Sequence, residues 1–190
     1  MKTILKNISS IQTGLFTKTG EAGEIVYLQA KHFDEDGYLK YTLNPDLKAT
    51  PSNEKHLLQT GDILFAAKGN KNFAALYDNP NRPCIASTSF FVIRLANSTI
   101  LPEYLVWFLN HPETQKILKS QAIGTSMASI SKSVLESLEI SIPDLKIQQT
   151  ILQIAYLLRR EKELKHQMES LREQLIQQLL LNLITGKIKL

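Results

Sequence analysis

Apolar residues near the end of the chain recur at Ile147, Ile151, Ile154, Leu157, Leu158, Leu164, Met168, Leu171, Leu175 and Leu179, mostly in steps of three and four. That spacing keeps one stripe on one face of an α-helix. No proline follows Pro143, no glycine intervenes between Leu145 and Gly186, and Leu, Ile, Gln, Glu, Lys and Arg dominate, so one long helix ending near Gly186 is predicted. At a rise of about 1.5 Å per residue it makes a rod on the order of 60 Å long. Such a rod cannot bury its whole stripe on one compact domain, so a partner helix is expected, with Ile151, Ile154, Leu158, Met168, Leu171, Leu175 and Leu179 as contact residues. Glu161 and Lys165 interrupt the seam, and Gln177, Gln178 and Asn182 place amides on or beside it. Polar residues at such points fix register or orientation at some cost in stability.

The preceding pattern is different. Short β-branched and aromatic runs at Glu24–Leu28, Asp62–Ala66 and Ser89–Leu95 are strand candidates, and Leu138–Ile142 alternates apolar with polar before Pro143 ends it. A helical block from Pro102 to Gln121 shows an apolar face of Tyr104, Leu105, Phe108 and Leu109, and the His111-Pro112 step should divide it in two. The fold class read from this pattern is α+β: a globular domain over 1–145 with an irregular sheet and short helices, then a helical arm over 146–190.

Composition narrows the class without naming a function. With 43% hydrophobic and 21% charged residues, the chain has the make-up of a globular protein and of neither collagen nor low-complexity disorder. It has no apolar run of membrane-spanning length and no signal-peptide core at Met1–Asn7, so a cytoplasmic location is expected, with no membrane partner. The single cysteine, Cys84, can form no internal disulfide. The net charge of +4 is concentrated late: residues 1–146 carry 15 Lys+Arg against 14 Asp+Glu, and residues 147–190 carry 7 against 4. Bulk charge therefore does not argue for nucleic acid, and local patterning has to.

Catalytic constellations are not found. The chain has no GxGxxG, GxxxxGK[ST], HExxH or GxSxG, so no catalytic residue, no resident cofactor and no metal site is expected. Cys84 with His32, His56 or His111 would be the one nucleophile–base pairing to consider, but a lone cysteine beside a strand is more often a small buried hydrophobe. Asp34-Glu35-Asp36-Gly37 resembles the start of a calcium loop, yet the position where its bidentate glutamate belongs is Pro45, which leaves a solvated turn.

Loops rich in small polar and basic residues are more informative. Lys68-Gly69-Asn70-Lys71-Asn72 leaves one strand, and Asn79-Pro80-Asn81-Arg82-Pro83 leads to the next. Lys and Arg suit phosphates, while Asn and Arg can grip adenine and guanine edges bidentately. Lys68, Asn70, Lys71, Asn72 and Arg82 are therefore candidate DNA contacts, although an ordinary surface turn has the same composition. Gly124, Thr125 and Ser126 form a second candidate, since glycine admits a close approach and the hydroxyls can donate to phosphate. Ser131 following them should cap a short helix through Leu135.

The order of these pieces resembles one family. Leu5-Lys6-Asn7-Ile8 with Gly14, Gly61-Asp62-Ile63-Leu64-Phe65 with Gly69, Pro102-Glu103-Tyr104-Leu105, Gly124-Thr125-Ser126 with Ile130, and Leu138–Pro143 running into Gln148-Gln149-Thr150-Ile151 are similar to a target-recognition domain plus conserved helix of type I restriction-modification DNA-specificity (S) subunits. The resemblance implies a non-catalytic subunit that selects a sequence in double-stranded DNA for methyltransferase (M) subunits, which methylate adenine, and for a nuclease (R) subunit. Complete members have two recognition domains and two helices; this chain has one of each and looks like a half-subunit. Two copies with helices packed antiparallel would restore the complete form, as a homodimer reading a bipartite, palindromic site. The rival reading is a coiled-coil adaptor whose globular head binds protein and not DNA.

Overall fold

The computed structural model describes residues 1–20, 23–34, 37–40, 43–68, 72–79, 82–122 and 129–185. It divides into two compact units, Met1–Gln148 and Gln149–Leu190.

Among the described residues the first unit is built on three small sheets. β2 (Ser9–Thr13), β7 (Phe90–Leu95), β4 (Ile63–Ala66) and β5 (Ala74–Leu76) form an antiparallel sheet in the order β2-β7-β4-β5. β1 (Lys2–Ile4) pairs antiparallel with β8 (Glu139–Ser141), and β3 (Val26–Leu28) pairs parallel with β6 (Cys84–Ala86). The core joins Val26, Leu28, Cys84 and Ala86 from one sheet to Leu64, Ala66, Ala75 and Phe90 from another, and Phe33, Phe73 and Phe90 meet with ring centroids 5.5 to 6.0 Å apart. Offset and edge contacts of that kind stabilise by about 1 kcal/mol beyond area burial.

The predicted strands form one to two residues shorter than expected, while β1, β2, β5 and β6 were not foreseen. The Pro102–Gln121 block does divide. α2 (Pro102–Asn110) starts on a proline, His111 is extended before Pro112, and α3 (Pro112–Ser120) follows with His111 Nδ1 accepting from the Glu113 amide at 3.3 Å. The short helix α1 (Pro51–Glu54) precedes them in the chain, and α4 (Lys132–Glu136) is capped by the Ser131 hydroxyl, which accepts from the Val134 amide at 3.2 Å.

Three polar side chains hold these elements in place. Asp62, 1% exposed, accepts from Arg94 Nε and an Arg94 terminal nitrogen at 2.7 Å each and from the Gln59 amide at 2.7 Å. With Gly61 in the left-handed region at φ +92°, this explains Gly61-Asp62: the glycine makes the turn and the carboxylate ties it to β7. Asn110 closes the free edge of β5, accepting from the Ala74 amide at 2.7 Å and donating to the Ala74 carbonyl at 2.9 Å. Gln148, fully buried, accepts from the Leu101 amide at 2.9 Å and donates to the Thr99 and Pro143 carbonyls at 2.9 and 2.8 Å.

The long helix α5 runs from Leu145 to Ile184, 40 residues, as the periodicity predicts. Its only buried residue is Gln148, and it carries exposed Ile154, Leu157, Leu158, Leu164, Met168, Leu171, Leu175 and Leu179, at 44 to 67% each. Ile151 is half-buried. Among the described residues no helix is long and apolar enough to cross a membrane.

Candidate nucleic-acid interface

Lys68 and Asn72 flank the connection from β4 to β5. Phe65 pairs with Ala74, the Ala66 amide donates to the Phe73 carbonyl, and the chain must reverse between them. Asn72 closes the reversal by donating to the Ala66 carbonyl at 2.9 Å, so part of its amide works within the hairpin. Lys68 is exposed and sits in an antiparallel bridge with Ser129, reinforced by the Ile130 amide donating to the Ala67 carbonyl at 3.0 Å. Ser129, three residues after Ser126, is thus placed beside Lys68. Asn70, Lys71, Gly124, Thr125 and Ser126 lie outside the described residues.

Arg82 stands apart from this pair. Ile63 pairs with Leu76, and the Gly61 amide donates to the Tyr77 carbonyl, so the segment toward Arg82 leaves the opposite end of β5 from the Lys68 tip. The exposed Arg82 guanidinium donates to the Leu43 carbonyl at 3.2 Å, and the Arg82 carbonyl accepts from the Tyr77 hydroxyl at 2.6 Å.

Sequence reading missed a third polar surface. A shallow groove is lined by Gln12 and Thr13 of β2, Lys55 and His56 after α1, and Arg94 of β7. The register explains it: Ser10 lies opposite Arg94 and Gln12 opposite Val92, which brings residues far apart in the chain to one place. Its Arg94 is held charged chiefly by the hydrogen bond to Asp62 and is 39% exposed. A pattern search along the chain had no signal for this grouping, because the lining residues come from three separate elements.

Cys84 is poorly placed to act as a nucleophile. Cys84 is buried beside a cavity of about 530 Å³ lined by Val26, Leu28, Phe33, Leu64 and Tyr77 among others, and its thiol meets the Arg82 carbonyl at 3.3 Å. Burial pushes the thiol above its ordinary range, which disfavours the thiolate a nucleophile requires. His32 accepts from the Gln29 amide and His111 from that of Glu113, so each serves a local cap. Asp34 accepts from the Tyr38 amide at 2.8 Å and Gly37 takes φ +85°, while Glu35 and Asp36 of the expected turn lie outside the described residues. Among the described residues no group of three or more His, Cys, Asp and Glu side chains is placed to hold a metal ion.

The family model described as Type I restriction modification DNA specificity domain matches residues 5–170, across both units, and the chain belongs to that family. It is 33% identical over 137 residues to the Type I restriction enzyme HindI specificity subunit of Haemophilus influenzae, covering 70% of this chain and 30% of that protein. A chain from a solved type I R-M system superposes with a TM-score of 0.72 at 17% identity, covering 96% of this chain and 45% of the other. The S subunit from M. genitalium gives 0.59 at 17% identity, covering 86% and 40%. The HsdS subunit from Thermoanaerobacter tengcongensis gives 0.57 at 16% identity, covering 86% and 37%. The chain therefore spans less than half the length of each of these relatives.

Proposed function

We propose that this chain is a non-catalytic DNA-reading subunit of a type I restriction-modification system in half-subunit form. Residues 1–145 act as the target-recognition domain, and 146–190 act as the helix that dimerises and sets spacing. Two copies direct partner methyltransferase and nuclease subunits to a bipartite, palindromic site. The observation that carries the reading is the family match over residues 5–170, which takes in one globular unit and most of one helix. The exposed stripe from Ile154 to Leu179 supports pairing, because a second copy supplies the same stripe. In a two-fold pair the recognition units repeat about the dimer axis, and a palindromic duplex repeats its half-sites in the same way.

The phosphate part of the interface releases counterions, so affinity for duplex DNA should fall steeply and log-linearly with salt. Titrating a labelled duplex at several salt concentrations, with the methyltransferase subunit present, tests this. Salt-independent association with a protein partner and no retention of DNA would favour the adaptor reading instead.

A further inference from the structure

The polar interruptions of the α5 stripe single out one way for two copies to meet. Taking Ile154, Glu161, Met168, Leu175 and Asn182 as one seam row and Leu157, Leu164, Leu171 and Gln178 as the other gives a heptad spacing over Ile154–Asn182, with Lys165 beside the seam. Glu161 is the one charged residue in either row. Its side chain is 56% exposed and its carboxylate, ion-paired to Lys165 at 2.6 Å, lies below the usual carboxylate range. A parallel, in-register pair would set Glu161 against its own copy, and like charges in a partly desolvated seam repel.

An antiparallel pair whose two-fold axis passes beside His166 behaves differently. The axis then lies near the middle of Gln149–Ile184, so the two helices overlap along nearly the whole segment. Leu157 meets Leu175 of the partner subunit, and Leu164 meets Met168 of the partner subunit. Glu161 enters the hole formed by the partner's Met168, the partner's Leu171, the partner's Arg172 and the partner's Leu175, since a knob sits among four residues of the facing helix. Gln178 meets Ile154 of the partner subunit, with Gln153 of the partner subunit beside it. Among the described residues Arg172 has no ion pair within its own chain, and it is exposed.

Sliding one heptad loses these matches. In one direction Glu161 enters the hole of the partner's Glu161, the partner's Leu164, the partner's Lys165 and the partner's Met168, where the partner's carboxylate offsets the attraction of the partner's Lys165, and the stretch from Leu179 to Ile184, exposed by 39 to 81% at its apolar residues, is left bare. In the other, Glu161 faces the partner's Gln178 and meets no cation.

We infer that Glu161 and Arg172 form a reciprocal ion pair between two copies of this chain, made twice per dimer, that selects the antiparallel orientation and fixes the register of the α5 pair. This inference rests on the homodimer reading above, and its consequence is that these two residues set the distance between the recognition units.

Sedimentation equilibrium on the full chain tests it with Glu161→Arg, Arg172→Glu and the double exchange. Each single reversal turns two attractions into two repulsions and should raise the dimer Kd about tenfold or more. The double exchange, and an equimolar mixture of the two single variants, should return toward wild-type affinity, which also shows that each single variant is folded. A parallel pair predicts no weakening by either single variant. A wild-type dimer indifferent to Arg172→Glu overturns the register while leaving the homodimer standing; a wild-type chain monomeric throughout the micromolar range overturns both.

Discussion

Replacing Gln148 tests how the first turn of α5 is fastened within Met1–Gln148. The side chain is 0% exposed and satisfies the Leu101 amide and the Thr99 and Pro143 carbonyls at 2.8 to 2.9 Å. Gln148→Ala removes three neutral hydrogen bonds worth about 1 kcal/mol each and leaves one donor and two acceptors in a space that water refills only partly. A loss of about 3 kcal/mol is expected. With a urea slope of about 2 kcal/mol/M, the midpoint should fall by about 1.5 M without a change of slope. Trp107, the single tryptophan, lies on α2 just beyond Leu101 and reports the transition by fluorescence at fixed protein concentration.

Gln148→Glu sharpens the test. One carboxylate oxygen can still accept from the Leu101 amide, but the other faces two carbonyls to which Gln148 now donates. Burial and this acceptor pair should raise the new carboxyl's folded pKa above its unfolded value of about 4.3. A raised acid favours the fold only in its neutral form. The deficit against wild type should therefore be least below pH about 4.3 and grow as pH rises through the folded pKa. A Gln148→Ala loss under about 1 kcal/mol, or a Gln148→Glu deficit that shrinks with rising pH, refutes the fastening role.

Arg94→Ala strands the buried Asp62 carboxylate with the Gln59 amide as its remaining hydrogen-bond donor and should cost about 3 kcal/mol in denaturant unfolding, discounted from a fully buried pair because Arg94 is 39% exposed. Lys68→Ala should weaken binding to all DNA sequences alike and reduce the salt slope by about 1, whereas Asn72→Ala should lower stability by about 1 kcal/mol by opening the hairpin, as separate titrations and melts will show. Replacing Leu171 and Leu175 together by Asp should convert a dimer to monomer in light scattering while leaving the fold of Met1–Gln148 intact by near-ultraviolet dichroism. Burial raises the Cys84 thiol from an ordinary 9.0 and the Tyr77 phenol from 10.0, so stability should decline as pH climbs past about 9 and more steeply past about 10, with Cys84→Ala removing the first part.

What the chain revealed in advance was governed by the range over which each signal acts. α5, the break at His111-Pro112 and the Ser131 cap depend on neighbours within a few residues, and each forms where expected. β1, β5 and β6 have three residues each, too few to establish a period, and β1 gains its partner from Glu139–Ser141 at the far end of the unit. β2 buries only Ile11 among its polar residues, so it resembles a loop until β7 is beside it. The same limit applies to the interface. Lys68 and Ser129 become neighbours through one bridge, Arg82 is separated from them by the length of β5, and Asn72 is partly committed to its own hairpin; none of this has a local signature. Gln148 was legible as part of a family motif, but its three partners depend on how Thr99–Leu101 and Pro143 are placed.

Homodimeric reading of a palindromic site is tested most directly by mapping methylated adenines across the genome of cells that carry this chain with the methyltransferase subunit of its system. The predicted result is a bipartite motif whose two halves are inverted copies of each other, present with the chain and lost when it is deleted. A motif with two unrelated halves, or methylation that persists without the chain, would contradict it.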